Sequence, residues 1–236
     1  MTRKKKPWKK LRISLLVFAL VCILGYGALW IYASDYRTLQ EEYYPLLDAP
    51  TVNQSKGLVH FDAQGDTALV FYPGGRVEYL AYTPLCVRLQ EKGIQVFLVD
   101  MPFNMANFGI NKANDLMRAY PSVKNWYVGG HSLGGVAASL YASWNSKKIN
   151  GLVMVGIYNA MEYPLENTLT LVGSNDLRVG DSIDYTQNVH ILQGGNHAQF
   201  GNYGQNTGDG IATISAEEQQ IQAVNHIVEF IKEHNR

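Results

Sequence analysis

The chain has 236 residues, 47% of them hydrophobic and 17% charged, which is enough to build one sizeable core as a single domain with an appendage. Its 20 Lys and Arg balance its 20 Asp and Glu, but seven of the basic residues fall within residues 1–12, and the rest of the chain carries about −7. An acidic body of this kind argues against nucleic acid as a partner.

The first predicted element is a transmembrane helix over residues 13–33. These residues carry no charge, and about 20 apolar residues can cross a bilayer as a helix. The basic tail, residues 1–12, is expected to stay in the cytoplasm, so the rest of the chain lies outside. Residues 34–56 are predicted to be a stalk or linker, and residues 57–236 a folded domain.

A cleaved signal peptide is the alternative interpretation of this N-terminal segment. Signal peptides usually have a shorter apolar region, and no small-x-small cleavage site precedes Ser34, because Ile31 would occupy the minus-three position. We therefore expect an uncleaved, single-pass anchor in the cell membrane. Cys22 lies in the predicted span and Cys86 beyond it, so we expect no disulfide framework.

After residue 57, runs typical of strands alternate with segments typical of helices. The strand candidates, rich in Val, Ile, Leu and Tyr, are Gly57–Phe61, Thr67–Tyr72, Ile94–Val99, Trp126–Val128, Gly151–Val155, Thr168–Val172 and Val189–Leu192. The helix candidates are Tyr79–Lys92, Lys112–Ala119, Leu133–Ser146 and Ala216–Glu233. This alternation predicts an α/β fold with a mostly parallel sheet and helices on both faces.

The most informative motif is Gly130-His131-Ser132-Leu133-Gly134, which lies between a strand candidate and a helix candidate. Gly-x-Ser-x-Gly in this position is typical of a nucleophile elbow, a sharp turn that lifts the serine hydroxyl above the sheet. Side chains on either side of the serine would collide, so glycines flank it. We expect Ser132 to be a nucleophile; the alternative is a glycine-rich turn without chemistry.

A serine hydroxyl needs a base and a third group that orients the base. On this scaffold the partners follow the serine in the order Asp or Glu, then His. Asp176 ends a Gly-Ser-Asn-Asp turn after one strand candidate, and His197 follows the last strand candidate. Both come at the carboxyl ends of predicted parallel strands, where open α/β sheets assemble their sites.

Each of these assignments has an alternative. An Asp in a Gly-Ser-Asn turn is commonly a turn former, and Asp181 and Asp184 are rivals further past the strand. We expect His131 to be a packing or orienting neighbour of Ser132, because adjacent side chains project away from each other in a tight turn. The other histidines are expected to be structural: His60, His190, His226 and His234.

Acyl transfer also requires N–H donors for the oxyanion. The backbone N–H of Leu133, directly after the nucleophile, is one candidate. The second is the N–H of Gly75 or of Arg76, in a loop whose alternative interpretation is an ordinary Pro-Gly turn. The glycine-rich stretch 201–210 is expected to be a flap or a surface loop; Asp209-Gly210 lacks the regularly spaced oxygen ligands of a calcium loop.

From about residue 57 to its end, the chain resembles a small α/β-hydrolase, near the dienelactone-hydrolase-like and general esterase groups. The resemblance rests on five segments: Phe71-Tyr72-Pro73-Gly74-Gly75, Val99-Asp100-Met101-Pro102, Gly129 to Gly135, Gly173-Ser174-Asn175-Asp176 and Gly194-Gly195-Asn196-His197. It implies that Ser132 is the nucleophile, Asp176 the acid and His197 the base, with no cofactor and no metal. Many members have His-Gly where this chain has Pro73-Gly74, and the short segment 156–167 leaves no room for a lid domain.

The sequence therefore predicts a membrane-anchored, extracytoplasmic serine hydrolase that acts on a small acyl substrate, preferably a carboxylic ester, through an acyl-enzyme. Two alternatives remain open. An acyltransferase would use the same triad but pass the acyl group to an alcohol or amine, and a non-catalytic surface binding module would keep the fold without the activity.

Overall fold

The computed structural model describes residues 8–159, 161–179 and 182–235. One compact unit ends at Asp35 and a second begins at Tyr36. The first unit is the helix α1, Trp8–Ser34, whose residues Lys10–Ser34 are long and apolar enough to cross a membrane. A signal sequence satisfies the same criterion. The helix begins earlier than the predicted residue 13, and residues 1–7 of the predicted tail lie outside the described residues.

The described part of the second unit is built on one eight-stranded sheet. Its strands are β1 Val52–Ser55, β2 Leu58–Phe61, β3 Thr67–Tyr72, β4 Gln95–Val99, β5 Asn125–His131, β6 Gly151–Val155, β7 Thr168–Gly173 and β8 Val189–Leu192. They lie in the order β1-β2-β4-β3-β5-β6-β7-β8. The strands β1 and β4 each pair with β2 in antiparallel fashion, and the other neighbours are parallel, so the predicted mostly parallel α/β sheet is confirmed.

Helices cover both faces of this sheet. They are α2 Thr83–Glu91, α3 Lys112–Ala119, α4 Leu133–Trp144 and α5 Ala216–His234. The central strand β3 is buried along its whole length, and its side chains alternate between two hydrophobic clusters. Leu69 and Phe71 join the cluster that α2 and α5 complete, while Val70 and Tyr72 join the cluster that α3 and α4 complete.

The structure differs from the stalk predicted for residues 34–56. A 3-10 helix, Glu41–Asp48, and the edge strand β1 belong to the second unit, and Leu39 and Leu47 are buried in its core. The apolar residues here are isolated in polar sequence. Their side chains are buried singly, so the sequence lacks the repeating apolar pattern by which a strand or a helix is recognised.

The start of α5 has a capping-box sequence, with Ser215 at the N-cap and Glu218 three residues later. The Glu218 N–H donates to the Ser215 hydroxyl at 3.1 Å, which satisfies one of the N–H groups left open at the helix start. This hydrogen bond therefore fixes the point at which α5 begins, shortly after the glycine-rich stretch 201–210.

Candidate active site

Ser132 occupies a sharp turn between β5 and α4. Its backbone has φ 53° and ψ −121°, a conformation that is strained for a residue with a side chain. The Ser132 N–H donates to the Val155 carbonyl at 2.9 Å. A Cβ at Gly130 would lie 2.6 Å from the Tyr72 carbonyl oxygen, and one at Gly134 would overlap the same oxygen. The turn closes against β3 only because glycines flank the serine.

Asp176 and His197 form a buried hydrogen-bonded pair. Asp176 follows β7 and is 4% exposed, and His197 follows β8 and is 3% exposed. The His197 Nδ1 lies 2.9 Å from Asp176 Oδ2, and Asp176 Oδ1 accepts from the backbone N–H groups of Arg178 and Val179. An ionised carboxylate only accepts, so Nδ1 carries the proton and Nε2 is the nitrogen left for other chemistry.

Among the described residues, the carboxylate hydrogen-bonded to the His197 ring is that of Asp176 and not that of Asp184. The other rival, Asp181, lies outside the described residues.

The neighbour of Ser132 in the chain, His131, contacts His197 directly. The rings of His131 and His197 have centroids 4.5 Å apart, and His131 Nε2 lies 3.0 Å from the His197 carbonyl oxygen. Among the described residues, no hydrogen bond joins Ser132 Oγ to His197. Catalytic hydrogen bonds are often long in unliganded enzymes and tighten when substrate binds.

His131 fits the orienting neighbour that the sequence predicted. It is 1% exposed, and its two ring nitrogens contact the Tyr82 hydroxyl and the His197 backbone. Burial, with a smaller contribution from the nearby His197, lowers the pKa of His131 well below its ordinary value of 6.5. His131 is therefore neutral and both of its nitrogens are engaged, which makes it a poor base for Ser132.

Two backbone N–H groups close to the Ser132 turn, those of Leu133 and Gly75, have no hydrogen-bond acceptor within the described part of the chain. Leu133 opens α4, where a helix has no acceptor for its first N–H groups. A Cβ at Gly75 would lie 2.9 Å from Leu133 Cδ2, so the Gly75 backbone passes close to the elbow. The Arg76 N–H donates to the Asn104 carbonyl at 2.8 Å. Because the Arg76 N–H is already engaged, Gly75 is the better candidate for the second oxyanion donor.

The glycine-rich stretch 201–210 packs between the Asp176 and His197 loops. The Asp209 carboxylate accepts from the His197 N–H at 3.2 Å and from the Ala198 N–H at 2.8 Å. A Cβ at Gly210 would overlap the Asn175 carbonyl oxygen. Asp209 therefore holds the backbone of the histidine loop. Within the described residues, no group of three or more His, Cys, Asp or Glu side chains could hold a metal ion.

A second support for this loop comes from α5. Gln219 is fully buried; its Oε1 accepts from the Asn196 N–H at 2.9 Å, and its Nε2 donates to the Asn196 carbonyl at 2.8 Å. Gln219 belongs to no motif recognised in the sequence. A polar residue on the inward side of an amphipathic helix is the signal that could have drawn attention to it.

Comparisons with known proteins agree with this architecture. The sequence profile of the alpha/beta hydrolase family matches residues 68–221. A solved predicted CIB-like hydrolase from Thermoplasma acidophilum is similar over 77% of this chain and 96% of its own, with 14% identity and a TM-score of 0.53. An esterase from Pyrococcus furiosus has 14% identity, coverages of 75% and 84%, and a TM-score of 0.53.

A dienelactone hydrolase from Anabaena variabilis has 16% identity, coverages of 75% of this chain and 88% of its own, and a TM-score of 0.50. At these identities the similarity concerns the fold. The comparison with curated proteins found no match.

Proposed function

The chain belongs to the alpha/beta hydrolase family, and on this basis we propose that it is a serine hydrolase that cleaves carboxylic esters through an acyl-enzyme on Ser132. The observation that carries the proposal is the buried Asp176–His197 hydrogen bond of 2.9 Å, in loops that follow neighbouring parallel strands on the same side as the strained Ser132 turn. The hydrolase fold alone would be compatible with many chemistries, so the assignment depends on these side chains.

In the first half of the proposed reaction, His197 Nε2 takes the proton of the Ser132 hydroxyl while Oγ forms a bond to the acyl carbon. Asp176 keeps the imidazole in the required tautomer and stabilises its positive charge. The carbonyl oxygen becomes negatively charged and accepts from the Leu133 and Gly75 N–H groups. Losing one such donor typically slows an enzyme by about 10²–10³, or roughly 3–4 kcal/mol.

The first half ends when the carbon–oxygen bond to the leaving alcohol breaks and the alcohol takes the proton from His197, which leaves the acyl-enzyme. In the second half, water gives a proton to His197 as it attacks the acyl-enzyme, and the carboxylic acid leaves when Ser132 recovers that proton from His197. Atoms and charges balance with water as the only co-substrate. The chain's own residues supply every group that this sequence of steps requires.

We further propose that α1 anchors the protein in the cell membrane and that the second unit lies on the extracytoplasmic side. The apolar segment Lys10–Ser34 and the seven basic residues within 1–12 support this orientation. A membrane-impermeant fluorophosphonate should label the protein on intact cells. Recovery of a chain shortened near Ser34 in the soluble fraction would instead indicate a cleaved signal peptide.

The enzymatic proposal is tested on the full-length chain in nonionic detergent. It should hydrolyse short p-nitrophenyl esters and react with a fluorophosphonate at Ser132, and Ser132→Ala should abolish both. Ser139→Ala is the matched control, because Ser139 is a buried serine of α4, the helix that follows Ser132, and its hydroxyl donates to the Val136 carbonyl. Equal activity in Ser132→Ala and wild type would refute the proposal.

The same assay distinguishes a hydrolase from the two alternatives, an acyltransferase and a non-catalytic binding module. Added alcohols or amines that yield transfer products in excess of hydrolysis would indicate an acyltransferase. Absence of labelling in the wild-type protein would indicate a non-catalytic binding module.

A further inference from the structure

A chain of hydrogen bonds connects the oxyanion loop to the histidine loop through two buried side chains. The Gly74 N–H donates to the Tyr82 hydroxyl at 3.0 Å, and the Tyr82 hydroxyl lies 2.8 Å from His131 Nδ1. His131 Nε2 lies 3.0 Å from the His197 carbonyl oxygen. Gly74 directly precedes the proposed oxyanion donor Gly75, and His131 directly precedes Ser132.

The acceptors at the two ends determine where the protons lie. A carbonyl oxygen only accepts, so His131 Nε2 must carry a proton and donate it to His197. In a neutral imidazole the other nitrogen is then an acceptor, so the Tyr82 hydroxyl donates to His131 Nδ1. The Tyr82 oxygen remains available as the acceptor for the Gly74 N–H. One arrangement of protons therefore satisfies every group in the chain.

The surroundings keep both side chains neutral. Tyr82 and His131 are buried, and burial raises the pKa of Tyr82 well above 10.0 while it lowers the pKa of His131 well below 6.5. The titratable and charged groups that act on His131 are Tyr82, His197 and, more distantly, Arg178. A fully satisfied buried network of this kind rigidifies the segments that it joins.

The backbone approaches this network closely. A Cβ at Gly74 would lie 2.8 Å from the Tyr82 hydroxyl and 2.9 Å from His131 Nδ1. A Cβ at Gly156, whose φ is +59°, would lie 3.0 Å from His131 Nε2 and 3.2 Å from His197 Nδ1. Side chains at either glycine would push the rings away from their hydrogen-bond partners.

We propose that Tyr82 and His131 are positioning residues that hold the oxyanion loop, the Ser132 turn and the His197 loop in one fixed arrangement, with His131 in its neutral Nε2–H tautomer. This role rests on the proposed function of Ser132 and His197. Neither Tyr82 nor His131 exchanges a proton with substrate. Their effect is on the geometry in which the serine, the base and the oxyanion donors meet.

The direct test is Tyr82→Phe, which removes one hydroxyl and keeps the ring. It leaves the Gly74 N–H and His131 Nδ1 without partners, so kcat should fall by about 10- to 100-fold while KM changes little, since small misplacements of catalytic groups have effects of this size. His131→Leu should lower kcat at least as much. The double variant should be no slower than the slower single variant, because the two residues act as one unit.

A matched control is Tyr127→Phe. Tyr127 is also fully buried, but its hydroxyl donates to Asn235 Oδ1 at 2.8 Å, with the Ile231 carbonyl oxygen 3.3 Å away, in the half of β5 away from Ser132. It should lose thermal stability as Tyr82→Phe does and keep the wild-type kcat. Wild-type kcat in Tyr82→Phe, or an equal loss of kcat in Tyr127→Phe, would overturn the positioning role.

Two further readouts separate this inference from the function on which it rests. If the wild-type chain reacts with a fluorophosphonate at Ser132 and Tyr82→Phe reacts at the same rate, the inference fails alone. If the wild-type chain does not react, the proposed function fails and the positioning role with it. Nitrogen-15 spectra of labelled histidine should show His131 with a proton on Nε2 and none on Nδ1 at about pH 7; a proton on Nδ1 would contradict the arrangement.

Discussion

The two neighbouring glutamines of α5 allow one prediction in which the same substitution has different effects. Both Gln219 and Gln220 are fully buried. Gln219→Leu leaves the buried Asn196 N–H and carbonyl without partners, and each such group costs about 1–3 kcal/mol. The expected loss of unfolding free energy is about 2–6 kcal/mol, a large part of the roughly 5–15 kcal/mol of a typical domain.

Gln220→Leu should cost much less. It leaves the buried Asn202 Oδ1 without its donor, but it also removes Gln220 Oε1, which is buried without a partner among the described residues. Its other partner, the Gln199 carbonyl, is only part-buried, so water can replace the lost donor. The count of unsatisfied buried groups therefore stays nearly constant, and the two variants share the same change in helix propensity and side-chain size.

The measurement is urea unfolding of the full-length chain in nonionic detergent, followed by the fluorescence of the buried Trp126. The Gln219 variant should be less stable than the Gln220 variant by at least about 2 kcal/mol. Equal losses in the two variants, or a larger loss in Gln220→Leu, would refute the reasoning that Gln219 supports the histidine loop through its two backbone hydrogen bonds.

Three further predictions concern single groups. Gly134→Ala should abolish fluorophosphonate labelling, because its Cβ would overlap the Tyr72 carbonyl; a labelled variant would contradict the close packing of the turn. The pKa of His131 is lower in the folded than in the unfolded state, so the unfolded state binds more protons and the stability of the protein falls as pH drops below about 6.5. His131→Leu should therefore flatten the dependence of unfolding free energy on pH by up to about 1.4 kcal/mol per pH unit. An unchanged slope in unfolding titrations would contradict this prediction. Burial raises the pKa of the Cys86 thiol, so iodoacetamide should modify it only after unfolding, and rapid modification of the folded chain, mapped by mass spectrometry, would contradict its burial.

The strands of the fold were predictable where apolar runs are continuous. The limits of β3, β6 and β8 coincide with the predicted ones. The strands β3 and β6 are buried along their whole length and have near-continuous apolar sequence, whereas β8 is a partly exposed edge strand. The edge strand β1 was missed, since Val52 is its only buried residue.

The site was predictable in its residue types and less so in its supports. The order of Ser132, Asp176 and His197 relative to the strands identified the candidates, and the structure joins the latter two directly. Tyr82 and Gln219 form hydrogen bonds with His131 and Asn196, which are far from them in the sequence, and no local pattern indicates such contacts. The hydrogen bond from the Arg76 N–H to the Asn104 carbonyl is likewise a tertiary contact, and it favours Gly75 over Arg76 as the proposed second donor.

The most direct test of the account is a crystal structure of the full-length chain after reaction with a fluorophosphonate. We expect phosphorus bonded to Ser132 Oγ, the His197 Nε2 within hydrogen-bond distance of that oxygen, and a phosphonyl oxygen that accepts from the Leu133 and Gly75 N–H groups. A modified residue other than Ser132, or an imidazole of His197 out of reach of the adduct, would contradict it.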